Sequence, residues 1–315
     1  MSGALIDQVG LSELLDEGMA AVERAMIDAT DSDVEILRDA SRHILSAGGK
    51  RIRPRLLLQS YLALGGRNLE SVAKPAAAIE LMHTASVVHD DINDHGTLRR
   101  GRPSVNAIWG RTFALLTGDF LFTAVYELMA PYHDLNIDLA QAATALVEGE
   151  TLQASAVKNK TFTREAYMEI IAKKTAALFQ AACSIGAKLA GAGNREIRVL
   201  SDFGFQIGLA FQIVDDILDL VEDDSKLGKT SGLDITQGRG VAVALNDANG
   251  NGNVSVTDPL DEIRRKMMDG DTIAKARAQA ANLIENAIVS LAILDDSPAK
   301  KALIDLAQQV IERDR

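Results

Sequence analysis

Two groups of aspartates share one internal spacing. In the stretch 81–102, LMHTASVVHDDINDHGTLRRGR, Asp90, Asp91 and Asp94 close an apolar run, and Arg99, Arg100 and Arg102 follow within a few residues. In the stretch 211–219, FQIVDDILD, Asp215, Asp216 and Asp219 close a second apolar run. Residues four apart share a helix face, so Asp90 points with Asp94 and Asp215 with Asp219. Carboxylates held that close repel one another and lose ionisation unless a cation sits among them, so each group suggests a metal seat. Hard oxygen donors favour magnesium or manganese over zinc. One such group alone is a common accident of solvated helix faces. A second, again at the end of an apolar run, leaves chance much less to explain. One turn earlier on each acidic stripe stands a small or polar residue, Ser86 in the first and Gln212, beside Gly208, in the second. Two such helices facing each other would hold divalent cations over a hydrophobic slot.

Positive charge is local and sits where an anion would approach those cations. In SAGGKRIRPRLLL, Gly48 and Gly49 end one helix and Pro54 opens the next, crowding Lys50, Arg51, Arg53 and Arg55 at a helix N-terminus. Bared backbone, the positive end of a helix dipole and several cations suit phosphate, although the spacing is not that of a Walker loop and a solvated basic turn would read alike. Arg99 and Arg100 carry guanidinium forks that match phosphate oxygens. His83 lies below the carboxylates; it reads either as a hydrogen-bonded core residue or as a donor to a diphosphate, whereas His89 reads as structural. In AKKTAALF, Lys174 and Thr175 interrupt an alanine-rich buried face, and a lysine there requires an anionic partner. Its neighbour Lys173 reads as a snorkelling surface residue. Glu148, Glu150 and Gln153 read as ties between neighbouring helices.

Long helices must carry these groups. Apolar spacing predicts two helices between Leu11 and Ala47 with a break at DATDSD. Further helices are predicted at Ser71–Asp94, Thr112–Met129, Leu135–Val157, Arg164–Ala190 and Arg195–Val221. Gly118 in the second of these permits a close approach. Beyond Asp224 the polar, glycine-rich EDDSKLGKTSGLDITQGRG reads as a lid across the mouth, adding Lys229, Asp234 and Arg239. Asn246–Asn253 reads as a surface excursion, and Asp258-Pro259 and Ser297-Pro298 as capped helix starts.

The 315 residues are expected to form one domain, 1–315, since no linker-like composition interrupts the helical pattern until after Asp224. With Lys+Arg at 33 against Asp+Glu at 44, a net charge of −11 argues against a nucleic-acid surface. The single Cys183 cannot form an internal disulfide and reads as a small buried hydrophobe, which fits a reducing, cytoplasmic setting. No signal peptide and no apolar run of membrane-spanning length are expected.

GGKRIRP, HDDINDHGTLRRGRPS, KKTAALF, FQIVDDILD and LGKTSGLD follow one another between Gly48 and Arg239. In order and approximate spacing they resemble the motifs of the trans-prenyltransferases, the all-helical isoprenyl diphosphate synthases. The resemblance implies an all-α fold: one large antiparallel helical bundle around a deep central cavity, the isoprenoid synthase fold, usually a homodimer. It implies that Asp90, Asp91, Asp94, Asp215, Asp216 and Asp219 hold three magnesium ions on the diphosphate of an allylic substrate. By the same resemblance Lys50, Arg53, His83 and Arg100 bind isopentenyl diphosphate, and Arg99, Lys174, Thr175, Gln212 and Lys229 contact the allylic diphosphate. Lys174 and Lys229 would join the aspartates in stabilising the departing group. At Gly238–Val243 the chain departs from the family's Gly-Lys-x-Thr-Leu-Pro: Arg239 keeps the charge, but the threonine and proline are missing. No protein nucleophile is needed, in keeping with the lack of any Ser-His-Asp or Cys-His arrangement.

Three rivals fit less well. A terpene cyclase mixes Asn, Ser or Thr with Glu at its second metal site. A non-catalytic helical partner subunit is expected to have lost aspartates, and a carboxylate metal-storage bundle uses Glu-x-x-His ligands. In the family, aromatics just before the first aspartates stop chain growth early, whereas here Ala85 and Ser86 leave room. The expected product is therefore geranylgeranyl or a longer polyprenyl diphosphate, with Met82, Ile79 or the 112–129 helix as the floor. The helical wheel puts Ser86 nearer the acidic stripe than Ala85, so the role of Ala85 as a gate rests on the resemblance. On that expectation Ala85→Phe shortens the product; an unchanged chain length, read by sizing the products, removes the gate from this position.

Overall fold

The structure is a computed structural model that describes residues 8–159, 163–229 and 270–312, without the side chains of 8–9, 220–229 and 270–272. Twelve α-helices stand in it among the described residues: α1 Gln8–Ala29, α2 Glu35–Ser46, α3 Ile52–Ala63, α4 Ala73–Asn93, α5 Val105–Trp109, α6 Arg111–Met129, α7 His133–Asn159, α8 Arg164–Ile171, α9 Ala177–Leu189, α10 Asn194–Lys229, α11 Gly270–Ser290 and α12 Pro298–Ile311. The only sheet among these residues is a two-stranded hairpin, β1 Leu98–Arg99 with β2 Arg102–Pro103. The expected all-α class is therefore the observed one.

Burial explains the arrangement. In α4, fifteen of 21 residues are buried, including Ile79, Leu81, Met82 and Val88, so this helix runs through the interior with only its acidic end in the open. It packs chiefly against α6 and also against α1 and α3; α10 packs against α9 and α11, and α9 against α3. The four residues between α9 and α10 force those two helices into an antiparallel pair. The acidic end of α4 and the Asp215 turn, well inside α10, meet across one cavity. Gly118 on α6 accepts the ring of His89 from α4 where a side chain would collide, as the sequence predicts. One apolar cluster extends from Leu11 in α1 to Val310 in α12.

The helices depart from expectation in three places. Residues 164–190 form two helices joined by a π-helical turn at Ala172–Ala176, which contains Lys173, Lys174 and Thr175. The first residues of the expected loop, 222–229, are helical, because α10 continues to Lys229. Two stretches, Arg111–Asn159 and Asn194–Asp219, are long and apolar enough to cross a membrane by length and composition, where none was expected. Their apolar side chains include Leu121, Val125, Phe203 and Ile207, each at most 2% exposed; interior helices of a large core meet the same compositional test. Ser297 caps α12 by accepting from the Lys300 amide at 3.1 Å, with Pro298 at the first position, as predicted. The lid segment beyond Lys229, the 246–253 excursion and the Asp258-Pro259 start lie outside the described residues, as does Arg239.

Candidate active site

A cavity of about 670 Å³ opens between the start of α3, the end of α4, the middle of α10 and the π-turn. Its wall includes Lys50, Arg53, His83, Ser86, Asp90, Asp94, Arg99, Arg100, Lys174, Thr175, Gln212, Asp215 and Asp216. Most of the residues singled out in the sequence thus converge. Asp91 and Asp219 are not on the wall, nor are Ala85 and Met82; the side chain of Lys229 lies outside the described ones.

The first aspartate group divides by helix register. Asp90 and Asp94, four apart, both face the cavity, while Asp91 is turned away and is buried at 3% exposure. Its Oδ1 accepts from Arg99 Nη2 at 2.7 Å and Nε at 3.1 Å. Its Oδ2 is buried without a hydrogen-bond partner. The hairpin turn places Arg99: Arg100 and Gly101 both have positive φ, 50° and 73°, the conformation a two-residue connection between twisted strands requires. Arg102 and Pro103 tie the hairpin back to α2, His43 Nε2 lying 2.8 Å from the Pro103 carbonyl oxygen.

The second group divides differently, with both Asp215 and Asp216 on the cavity wall. Asp215 lines the cavity, and Asp219, a turn further on, is exposed at the end of the described side chains. Asp216 is 5% exposed and held from two sides: Tyr167 donates its hydroxyl to Oδ2 at 2.6 Å, and Gln212 Nε2 donates to Oδ1 at 3.0 Å. Gln212 Oε1 accepts in turn from the Thr175 hydroxyl at 2.8 Å. Tyr167 escaped the sequence reading because its partner is 49 residues away and its spacing is that of an ordinary core residue.

Lys174 finds the anionic partners the sequence demands. Its Nζ lies 3.2 Å from Asp90 Oδ2, 2.9 Å from Glu150 Oε1 and 3.0 Å from Glu150 Oε2, and it donates to Gln153 Oε1 at 3.2 Å. Burial opposes its charge, but Asp90 and Glu150 outweigh that and raise its pKa. Burial and the nearby Asp90 push the Glu150 carboxyl up, against the pull of Lys174. Lys173 instead reaches Glu148 at the surface.

Across the cavity stands a cluster of cations. Arg53 is 9% exposed, sits 4.6 Å above the Phe179 ring and leaves Nε buried without a hydrogen-bond partner. Burial lowers its pKa to about 10, so it remains charged at neutral pH. Arg100 lies against the backbone of Gly49, where a side chain would collide with its guanidinium. Arg51, with φ at 45°, turns inward to pair with Glu80 at 3.0 Å and Glu23 at 2.8 Å, fastening the Gly48–Lys50 loop to α4 and α1. Burial, followed by Arg53, Arg100, Arg99 and Arg51, lowers the His83 pKa well below the usual imidazole value, so the ring is neutral and can donate one N–H. Cys183 is fully buried and its thiol is pushed up to about 12 by that burial, matching the reading of a small hydrophobe.

Among the described residues, no group of three carboxylates, histidines or cysteines stands close enough to seat a metal ion alone. Asp91 and Asp216 are engaged by Arg99, Tyr167 and Gln212, which accounts for part of this. The remaining wall carboxylates, Asp90, Asp94 and Asp215, are all oxygen donors, a set suited to magnesium when a ligand supplies further oxygens.

Residues 34–303 match the family model described as polyprenyl synthetase. The sequence is 33% identical to an octaprenyl diphosphate synthase of Escherichia coli strain K12, over 97% of this chain and 98% of that one. It is 39% identical to a short chain isoprenyl diphosphate synthase of Methanothermobacter thermautotrophicus, over 93% of this chain and 95% of the other. A solved polyprenyl synthase from Caulobacter crescentus, complexed with calcium and isoprenyl diphosphate, matches the structure with a TM-score of 0.79 at 28% identity, covering 100% of both chains.

The Tyr167 contact generates a prediction. Tyr167→Phe removes a hydrogen bond to a buried carboxylate and is expected to cost about 2 kcal/mol, measured as a lower midpoint of urea denaturation. An unchanged midpoint would show that Asp216 does not depend on the phenol.

Proposed function

The chain belongs to the polyprenyl synthetase family, and on that premise we propose that it condenses isopentenyl diphosphate head to tail with an allylic diphosphate, releasing a prenyl diphosphate longer than farnesyl. The observation that carries this reading is the gathering of two sets of residues on one cavity. Lys50, Arg53, His83 and Arg100 are one set, and Lys174, Thr175 and Gln212 with Asp90, Asp94 and Asp215 are the other. Each suits a diphosphate, and the space between suits the meeting of two.

Asp90, Asp94 and Asp215 would hold magnesium, whose chemistry there is to neutralise charge on the allylic diphosphate. Asp91 and Asp216 orient the site, through Arg99 and through Gln212 and Thr175. Lys174 and Arg99 present cationic donors to the departing diphosphate as the allylic carbon–oxygen bond breaks. The isopentenyl double bond attacks the allylic cation, a carbon–carbon bond forms, and the released diphosphate takes the proton. The guanidinium of Arg53, on the cavity wall, would anchor the isopentenyl diphosphate. The Lys229 and Arg239 contacts remain part of this reading, on segments outside the described side chains.

The relatives differ in product, so length rests on the wall. Ser86 supplies it; Ala85, one residue round the helix, is fully buried and does not. Small size at Ser86 supports a geranylgeranyl or longer product. We propose further that the chain acts as one domain in the cytosol, and as a homodimer through α6. Phe113, Leu115, Leu116 and Tyr126 there are 40% to 70% exposed, an apolar surface that a second copy would cover.

With magnesium, isopentenyl diphosphate and allylic primers, the protein is expected to yield products longer than farnesyl, and a chelator to abolish turnover. Asp215→Ala should lower kcat by roughly a hundredfold or more, and Ser86→Phe should shorten the product. Turnover without divalent cation would overturn the metal-dependent reading. In sedimentation the protein should run at twice 33.7 kDa, and Leu116→Lys should shift it towards that single mass.

A further inference from the structure

Lys174 and Thr175 are neighbours in sequence, yet they serve different aspartate groups. Lys174 reaches Asp90 of α4, and Thr175 reaches Gln212 and, through it, Asp216 of α10. The π-turn at Ala172–Ala176 carries both, its wider hydrogen-bonding pattern replacing the regular ladder. Two glycines from flanking helices grip this turn. A Cβ on Gly149 of α7 would lie 2.6 Å from the Lys174 amide nitrogen and 2.9 Å from its Cα. A Cβ on Gly208 of α10 would lie 2.6 Å from the Cα of Ala176. Backbone therefore meets backbone on both sides, and neither helix can carry a side chain at the contact.

We infer that Gly149 and Glu150 of α7 are positioning residues: the glycine seats the Lys174 backbone, and the carboxylate holds the Lys174 ammonium at the cavity wall for the allylic diphosphate. Glu150 is itself absent from that wall, so it acts through Lys174. Asp90 is the other carboxylate within reach of the ammonium, and in the proposed function Asp90 also serves divalent cations. An ammonium tied to Asp90 alone would be repelled as such charge arrived. With Glu150 and Gln153 behind it, Lys174 has partners that do not compete for that role. This inference rests on the reading of the site as one that binds an allylic diphosphate.

The test measures binding without turnover. A non-hydrolysable allylic thiodiphosphate is titrated calorimetrically into the intact protein and into Glu150→Ala, Glu150→Gln, Lys174→Ala and the Lys174→Ala/Glu150→Ala double variant. Glu150→Ala is expected to weaken binding roughly tenfold, with partial recovery in Glu150→Gln, which keeps a hydrogen-bond acceptor. In the Lys174→Ala background, removing Glu150 should cost nothing further, because a residue that works through the ammonium has nothing left to position. Gly149→Ala, checked for folding by thermal denaturation, should weaken binding while the protein remains folded. Additive losses in the double variant, or unaltered binding by Glu150→Ala, overturn the inference. Unaltered binding by Lys174→Ala overturns the reading of Lys174 as a diphosphate contact, and the positioning role with it.

Discussion

Like charges have to be kept together in a chain that already carries a net charge of −11. Two carboxylates about 4 Å apart repel by roughly 4 kcal/mol in the partly screened environment of a protein surface. The fold meets this by interleaving donors from elements distant in sequence. The hairpin sends Arg99 to Asp91, the π-turn sends Lys174 to Asp90, and α8 sends the Tyr167 hydroxyl to Asp216. In each group the middle aspartate is thereby fixed within the protein. Asp90, Asp94 and Asp215 face the cavity and carry charge that remains to be neutralised there.

The opposite wall has the complementary problem. Burial, and then the nearby Arg53, Arg100, Arg99 and Arg51, hold His83 neutral, and burial lowers Arg53 and Arg100 as well. Only part of that positive charge is answered internally: Glu80 and Glu23 pair with Arg51, and Asp91 with Arg99. Arg51 and Glu80 therefore stiffen the wall, whereas Arg53 keeps an unpartnered donor in a buried position. Burying a guanidinium donor without a partner is costly unless something completes it. An anion with several oxygens would complete it, which is why the cationic wall reads as a binding surface and not as a purely structural ion-pair network.

Much of this was legible in the sequence. Periodicity placed α1, α2, α4, α6 and α7 within a few residues of their observed ends, and the two aspartate groups did meet across one cavity. What stayed hidden has physical causes. The sequence around the π-turn at Lys174 shows only an alanine-rich run, and the glycines that pack against it, Gly149 and Gly208, belong to other helices. Tyr167 acts through a partner far along the chain, which local spacing does not reveal, whereas Glu150, read as a tie between helices, does tie α7 to Lys174. The end of α10 was misjudged because glycine and polar residues after Asp224 suggest a loop, yet Gly228 is carried inside the helix. At the first motif, spacing showed that Asp90 and Asp94 share a face but could not show that Asp91 would be claimed by Arg99.

Register also decides where chain growth can be controlled. Successive helical residues are rotated by about 100°, so Ser86 and Ala85 cannot both look into the same slot. The structure gives that place to Ser86, which shares its stripe with Met82 one turn deeper, while Ala85 has no exposed surface at all. A bulky residue at 85 would first have to displace core atoms packed between α4 and its neighbours, and only indirectly the growing chain. A bulky residue at 86 would enter the slot itself, just below Asp90. The two positions therefore separate two ways of shortening a product: distortion of the helix packing, and direct obstruction beneath the carboxylates.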